Sequence, residues 1–198
     1  MQHVVQSADL SSMLPTVRDS MFRLRYDTFF TRLGWDVNTH DGMEIDQFDS
    51  ESAAYIVAKN ETGEVDACWR ILPTLGPYML RDTFPQLLHG QSAPAASDVW
   101  ELSRFAIATD RVETTSAAFG PLSVALMAES ARFALANGIA RYVTVTTVAI
   151  ERLLKRQGLN VYRIGPPIRI GLVLSVACVI EVDEITLTAV GMGSHTSA

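Results

Sequence analysis

The sequence predicts a single-domain α+β fold, a mixed central sheet flanked by helices. Three observations carry that reading. A chain of 198 residues that is 48% hydrophobic fits one domain with a sizeable core. Its segments follow a set order: strand and helix, then an antiparallel hairpin and a strand, then helix, strand, helix and strand. No internal repeat, low-complexity tract or linker interrupts that order, so residues 1–198 form one domain.

The first strand is HVVQSA, close to the N-terminus. A helix follows over Pro15–Leu33, where Val17, Met21, Leu24 and Thr28 repeat every three or four residues behind the start signal SSMLP. AAYIVAKN and EVDACWRILPT flank NETG, whose Asn and Gly supply turn chemistry, which predicts a β-hairpin. WELSRFAIA is the next strand. Residues Gly120–Asn137, rich in Ala, Leu, Met and Glu, form a helix that Asn137 and Gly138 stop. RYVTVTT reads as a strand and Ala149–Gln157 as a short amphipathic helix ending at Gly158. VYRIG and RIGLVLSVACVIEV supply the last strands. LPTLGPY and IGPPIRIG are loops, and GMGSHTSA (191–198) has no packing signal and is expected to fray. This order is the plan of the acetyltransferase-like (GNAT) fold.

Composition excludes several functions. A formal charge of -6 and a pI near 5.2 argue against nucleic acid as a partner, which would call for a clustered basic face. Cys68 and Cys178 lie in apolar strand-like runs and offer neither a disulfide framework nor metal-ligand spacing, so both belong to the core. MQHVVQSADL lacks the layout of a signal peptide, and the longest apolar run, GLVLSVACVI, is about half a membrane span. No membrane insertion is expected, and the cytoplasm is the expected location.

Glu101 and Arg104 stand out among the polar residues. Alternation puts Val99, Glu101, Ser103 and Phe105 on one face of their strand and Arg104 on the other. If Glu101 and Arg104 serve one site, the strand must be bulged between them. Glu101 is open to two readings: an ion-pair partner of Arg70 or Arg104, or a general base. Arg70 shares its face with Cys68 and Leu72 and needs carboxylate partners. Asp46 and Asp49 form either a solvated turn or, together with Arg70 and Glu101, a charged network lining a cleft. Arg25 and Phe29 sit one helical turn apart; Phe29 alone would be a core residue and Trp35 a loop anchor. Arg152, Lys155 and Arg156 crowd one short helix, either as a solvated face favouring the helix dipole or as a docking patch.

The segments RYDTFFTRLGW, EIDQFD, CWRILPT and WELSRFAI resemble the acyl-homoserine lactone synthase family in order and spacing. The family's eight near-invariant positions fall on Arg25, Phe29, Trp35, Asp46, Asp49, Arg70, Glu101 and Arg104, with Phe84 at a ninth, common aromatic position. The resemblance continues more loosely through Val143–Pro167. It implies the GNAT fold, with a bulge in its central strand, and an enzyme that acylates the amine of S-adenosylmethionine from an acyl carrier protein thioester, then closes a lactone. S-adenosylmethionine is then a substrate, and no cofactor or metal is implied. Glu101, Arg104 and Arg70 become the catalytic group; Arg25, Phe29, Trp35, Asp46 and Asp49 hold S-adenosylmethionine. Phe84, Ser103, Phe105 and Thr144 border the acyl chain, Thr144 matching a position that goes with 3-oxo chains, and the wording around these motifs is most like members using longer 3-oxo chains. Arg152, Lys155 and Arg156 would dock the acidic carrier. Two other readings stay open: a GNAT N-acyltransferase using acyl-CoA, disfavoured because TTSAAFGPLSVA lacks the pyrophosphate loop, and a non-catalytic sensor of S-adenosylmethionine or acyl chains.

Overall fold

A computed structural model describes residues 2–112 and 118–193. The chain opens with β1 (Val4–Asp9) and α1 (Pro15–Arg25), which passes into a π-helical stretch over Tyr26–Arg32. A two-residue pair, β2 (Thr39–His40) and β3 (Met43–Glu44), precedes the long hairpin of β4 (Ala54–Lys59) and β5 (Val65–Pro73). A single turn, α2 (Met79–Asp82), and a 3-10 turn (Pro85–Leu88) lead to β6 (Val99–Ile107). Then come α3 (Pro121–Asn137), β7 (Arg141–Thr147), α4 (Val148–Gln157), β8 (Val161–Arg163), β9 (Ile168–Ile170), β10 (Val173–Glu181) and α5 (Glu184–Ala189).

The main sheet has the order β1-β4-β5-β6-β7-β10-β8, with β9 also on β10. Every pairing is antiparallel except β6 with β7, which α3 joins as a crossover. One face carries α1, the π stretch and α2 over a core containing Met21, Phe29, Cys68 and Val143; the other carries α3, α4 and α5 over Trp69, Leu102, Met127 and Cys178. These are called the front and back faces below. Both cysteines are free and buried, as expected of core residues.

Two local features open the sheet where chemistry is expected. The parallel ladder between β6 and β7 runs only from Val99 and Arg141 to Leu102 and Thr144. Beyond it β6 stays with β5 and β7 with β10, so the sheet divides into a wedge. At the same place β6 carries an extra residue: Cys68 pairs with Ala106 but Arg70 with Ser103, and Arg104 takes a left-handed φ of 57°. That is the bulge the sequence required.

One expectation changes. The helix over Pro15–Leu33 stays α-helical only to Arg25, and the Leu33 N–H then reaches back five residues to Thr28 O at 3.1 Å. Periodicity cannot foresee one inserted residue, and such insertions gather at functional sites. EITLTA, short and β-branched, carries no helix signal in the sequence, yet it forms α5, capped by Asp183, which accepts from the Thr186 N–H at 2.9 Å. Within the C-terminal segment expected to fray, the Met192 N–H bonds Leu187 O at 2.8 Å and its side chain packs on the back-face core. The rest of that segment, 194–198, lies outside the described residues.

Candidate active site

The bulge decides which side chains face front. After it, Ser103 and Arg104 both turn toward the front, while Phe105 packs at the back against Trp69, edge to face at 5.1 Å. Simple alternation had put Phe105 beside Glu101, and the extra residue reverses that.

Three arginines and three carboxylates from five segments meet there. Arg25, with no exposed surface, donates to Glu44 at 2.6 Å and grips Asp49 with two bonds of 2.7 and 2.9 Å. Arg70 bonds Asp46 at 2.6 and 3.0 Å, Asp49 at 2.8 Å and the Ser103 hydroxyl at 3.1 Å. Arg104 completes the ring, pairing with Glu44 at 3.0 Å and Asp46 at 2.9 Å. Formally three positive charges meet three negative ones, the condition under which buried ions are tolerated. Asp49 also accepts from the Tyr55 hydroxyl at 2.7 Å. Burial works to raise the Asp49 pKa, but the hydrogen bond and charge of Arg25, with Arg70 behind it, hold the carboxyl well below the usual carboxylate range.

Glu44 is the member that sequence reasoning missed. It lies in the EIDQFD motif, and a charge count over the three arginines would have found it. The aromatic residues come with the network: Arg104 lies over the Phe29 ring at 5.3 Å, and Phe29 stacks on Trp35 at 5.2 Å. Trp35 remains 42% exposed, so the stack has a wet edge and a covered one.

Glu101 is not part of this network, contrary to expectation. Among the described residues no arginine pairs with it; its carboxylate accepts from the backbone N–H groups of Met79 at 2.9 Å and Leu80 at 2.7 Å, at the start of α2. Burial pushes its pKa up to about 7, against those two N–H groups and the charges of Arg70 and Arg104. A four-residue helix after a Gly-Pro loop leaves no periodic signal, so the donors that claim Glu101 were invisible in the sequence.

The remaining candidates are dispersed. Phe84 is half-buried on the front core, and Thr144 donates to Leu102 O at 2.8 Å where the β6–β7 ladder ends. On α4, Arg152, Lys155 and Arg156 are exposed, with Lys155 paired to Glu151 at 2.8 Å. Among the described residues no helix is long and apolar enough to cross a membrane, and no cluster of His, Cys, Asp or Glu has the geometry of a metal site.

Residues 9–190 match the sequence profile of the autoinducer synthases. The chain belongs to the autoinducer synthase family. An acyl-homoserine-lactone synthase from Pseudomonas aeruginosa is 46% identical to it over 171 residues, 85% of this chain and 84% of the relative. The crystal structure of the synthase LasI superposes with a TM-score of 0.88 at 41% identity, covering 100% of this chain and 98% of that one. BjaI, a CoA-dependent synthase solved with S-adenosylmethionine and isopentyl-CoA, superposes with a TM-score of 0.85 at 25% identity, covering 98% and 92%. The synthase described here is therefore an acyltransferase of GNAT-like fold that makes acyl-homoserine lactones.

Proposed function

We propose that the synthase joins S-adenosylmethionine to an acyl chain carried as a thioester on acyl carrier protein. The observation that carries this reading is the front-face ring beside the wedge. Its exposed aromatic edge at Trp35 and its carboxylates suit a sulfonium and an adenine, and Arg25, Asp46 and Asp49 shape that pocket.

The amine of S-adenosylmethionine attacks the thioester carbonyl to form the C–N bond and a tetrahedral oxyanion, which collapses as the carbon–sulfur bond breaks; the departing carrier thiolate finally takes up the proton that the amine gives up. Glu101, with a pKa near neutrality, takes the proton released by the amine. Backbone N–H groups along the bulged strand stabilise the oxyanion. The methionine carboxylate then attacks the carbon attached to the sulfonium, closing the five-membered lactone. Methylthioadenosine leaves neutral and needs no acid. Holding that carboxylate in line is the main task of the second step, which suits the arginine-rich front face.

The acyl chain passes through the wedge toward the back face. Phe105 and Thr144 border that path, and behind Leu102 lies a cavity of about 20 Å³ lined by Trp69, Met127, Tyr142 and Ile180. The exposed Arg152, Lys155 and Arg156 give an acidic carrier a positive landing site on a chain of net charge -6. The reading assigns the enzyme to the cytoplasm, where it would meet both substrates.

The test supplies labelled S-adenosylmethionine with matched acyl-carrier and acyl-CoA donors of several lengths, with and without a 3-oxo group. Labelled lactone and methylthioadenosine should appear, faster from the carrier, and reversal of Arg152, Lys155 and Arg156 to Glu should remove that preference. Lactone from acyl-CoA at equal or greater rate would assign the donor to coenzyme A. No labelled lactone from any donor would refute the reaction itself.

A further inference from the structure

Met79 touches both halves of the site. Its backbone N–H donates to Glu101 at 2.9 Å, and its sulfur accepts from Arg70 Nη2 at 3.2 Å and from Arg104 Nη1 at 3.4 Å. The residue is only 6% exposed. The other donors of these arginines go to Ser103, Asp46 and Asp49 from Arg70, and to Glu44 and Asp46 from Arg104.

A thioether is a weak acceptor and an ionised carboxylate a strong one. Two guanidinium groups beside a buried carboxylate would ordinarily close on it and form a bidentate pair. Here they do not: no ion pair joins Glu101 to either arginine among the described residues; Asp46, Asp49 and Glu44 take most of their donors, and the N–H each has left on the Glu101 side is directed at the sulfur.

We propose that Met79 is a positioning residue of the acylation step, whose sulfur holds Arg70 and Arg104 off the Glu101 carboxylate and leaves that group free to accept the proton of the attacking amine. The role in catalysis rests on Glu101 being the proton acceptor; the spacing role does not. The groups facing Glu101 are few. From α2 and its start come the Met79 and Leu80 N–H groups and Tyr78, whose hydroxyl donates to Pro94 O at 2.6 Å. From β5 come Arg70 and the cross-strand partner Leu72, from β6 itself Arg104, and from β7 the cross-strand partner Val143. The two arginines are therefore the charges whose distance sets the proton affinity of Glu101. With the sulfur in place, burial prevails, and the carboxyl stays up at about 7.

The experiment titrates Glu101 directly, by carbon-13 NMR of protein labelled at the glutamate side-chain carboxyl, with Glu101→Gln assigning the resonance. Met79→Leu keeps the bulk and removes the acceptor, so the guanidinium groups turn to Glu101 and its proton affinity falls at least about tenfold. Met79→Ala shifts it in the same direction and serves if the Leu variant does not fold. Met79→Gln returns a carbonyl acceptor at similar reach and titrates within about twofold of the parent. The acid limb of the kcat/KM profile moves with the NMR value. If Glu101 titrates as in the parent in whichever of the Leu and Ala variants folds, or if Leu and Gln variants behave alike, Met79 does not space the arginines. The titration uses protein without substrate, so it stands or falls independently of the lactone assay.

Discussion

Glu101 and Asp66 are both carboxylates with no exposed surface, on neighbouring strands of one sheet, and the fold treats them in opposite ways. Asp66 is clasped by side chains: Arg111 donates at 2.8 Å, Asn60 at 3.2 Å, and His3 Nε2 lies at 3.0 Å. Burial works to raise its pKa, but these partners, Arg111 first, bring it below the ordinary value. Among the described residues Glu101 receives two backbone N–H groups and no side-chain donor, and burial raises it to about 7. What separates them is the identity of the donors. A mobile cation can follow a carboxylate and neutralise it, whereas a backbone dipole at a fixed position can orient it without cancelling its charge. Asp66 ties His3, just before β1, to Arg111 in the β6–α3 connection, whereas the Glu101 carboxyl is left with a pKa of about 7.

The comparison breaks most visibly in turnover. Glu101→Gln should lower kcat by roughly 10² to 10⁴, the usual worth of a general base. Asp66→Asn should leave kcat per folded molecule unchanged. Equal losses in both variants, measured as lactone formed under saturating substrates, would make Glu101 another structural carboxylate.

A second difference lies in stability against pH. The Glu101 pKa is higher in the folded state, about 7, than its ordinary value of 4.5. Its contribution to stability is thus fully present below about 4.5 and is lost as pH rises through 7. The loss by pH 8 is about 3 kcal/mol. Urea unfolding should therefore show the parent losing ground to Glu101→Gln by about that amount between pH 4 and pH 8. A constant gap across that range would mean that Glu101 is ionised throughout.

Much of this was legible in the sequence. The hairpin of β4 and β5, the crossover of β6, α3 and β7, and the meeting of Arg70 with Asp46 and Asp49 follow from periodicity, turn chemistry and the family resemblance, whereas Glu101, expected in that same network, stands outside it. The need for a bulge was also legible, because strand alternation cannot place Glu101 and Arg104 on one face. Its exact effect on Phe105 was not, since that depends on which residue is extra. Glu44 was hidden among the acidic residues of its own motif. The partners of Glu101 were hidden for a different reason: they are backbone groups, which no side-chain pattern reports.

The smallest predicted effect sharpens the same contrast through its sign. Asp66→Asn keeps the shape of the clasp and some of its hydrogen bonds but removes the charge opposite Arg111. Arg111 is 37% exposed, so water screens much of the pair, and the cost at pH 7 is about 1 kcal/mol. Because the folded Asp66 pKa is lowered, the stability it brings is present above the unfolded value, about 4, and is lost as pH falls through the folded one. The gap between parent and Asp66→Asn should therefore be open at pH 7 and shrink as the solution is acidified below pH 4, opposite in direction to the Glu101 effect. Paired unfolding curves at pH 7 and at about pH 3 read it. A gap that widens in acid would show that Asp66, like Glu101, is held by the fold in its protonated form, and the distinction between side-chain and backbone donors would fail.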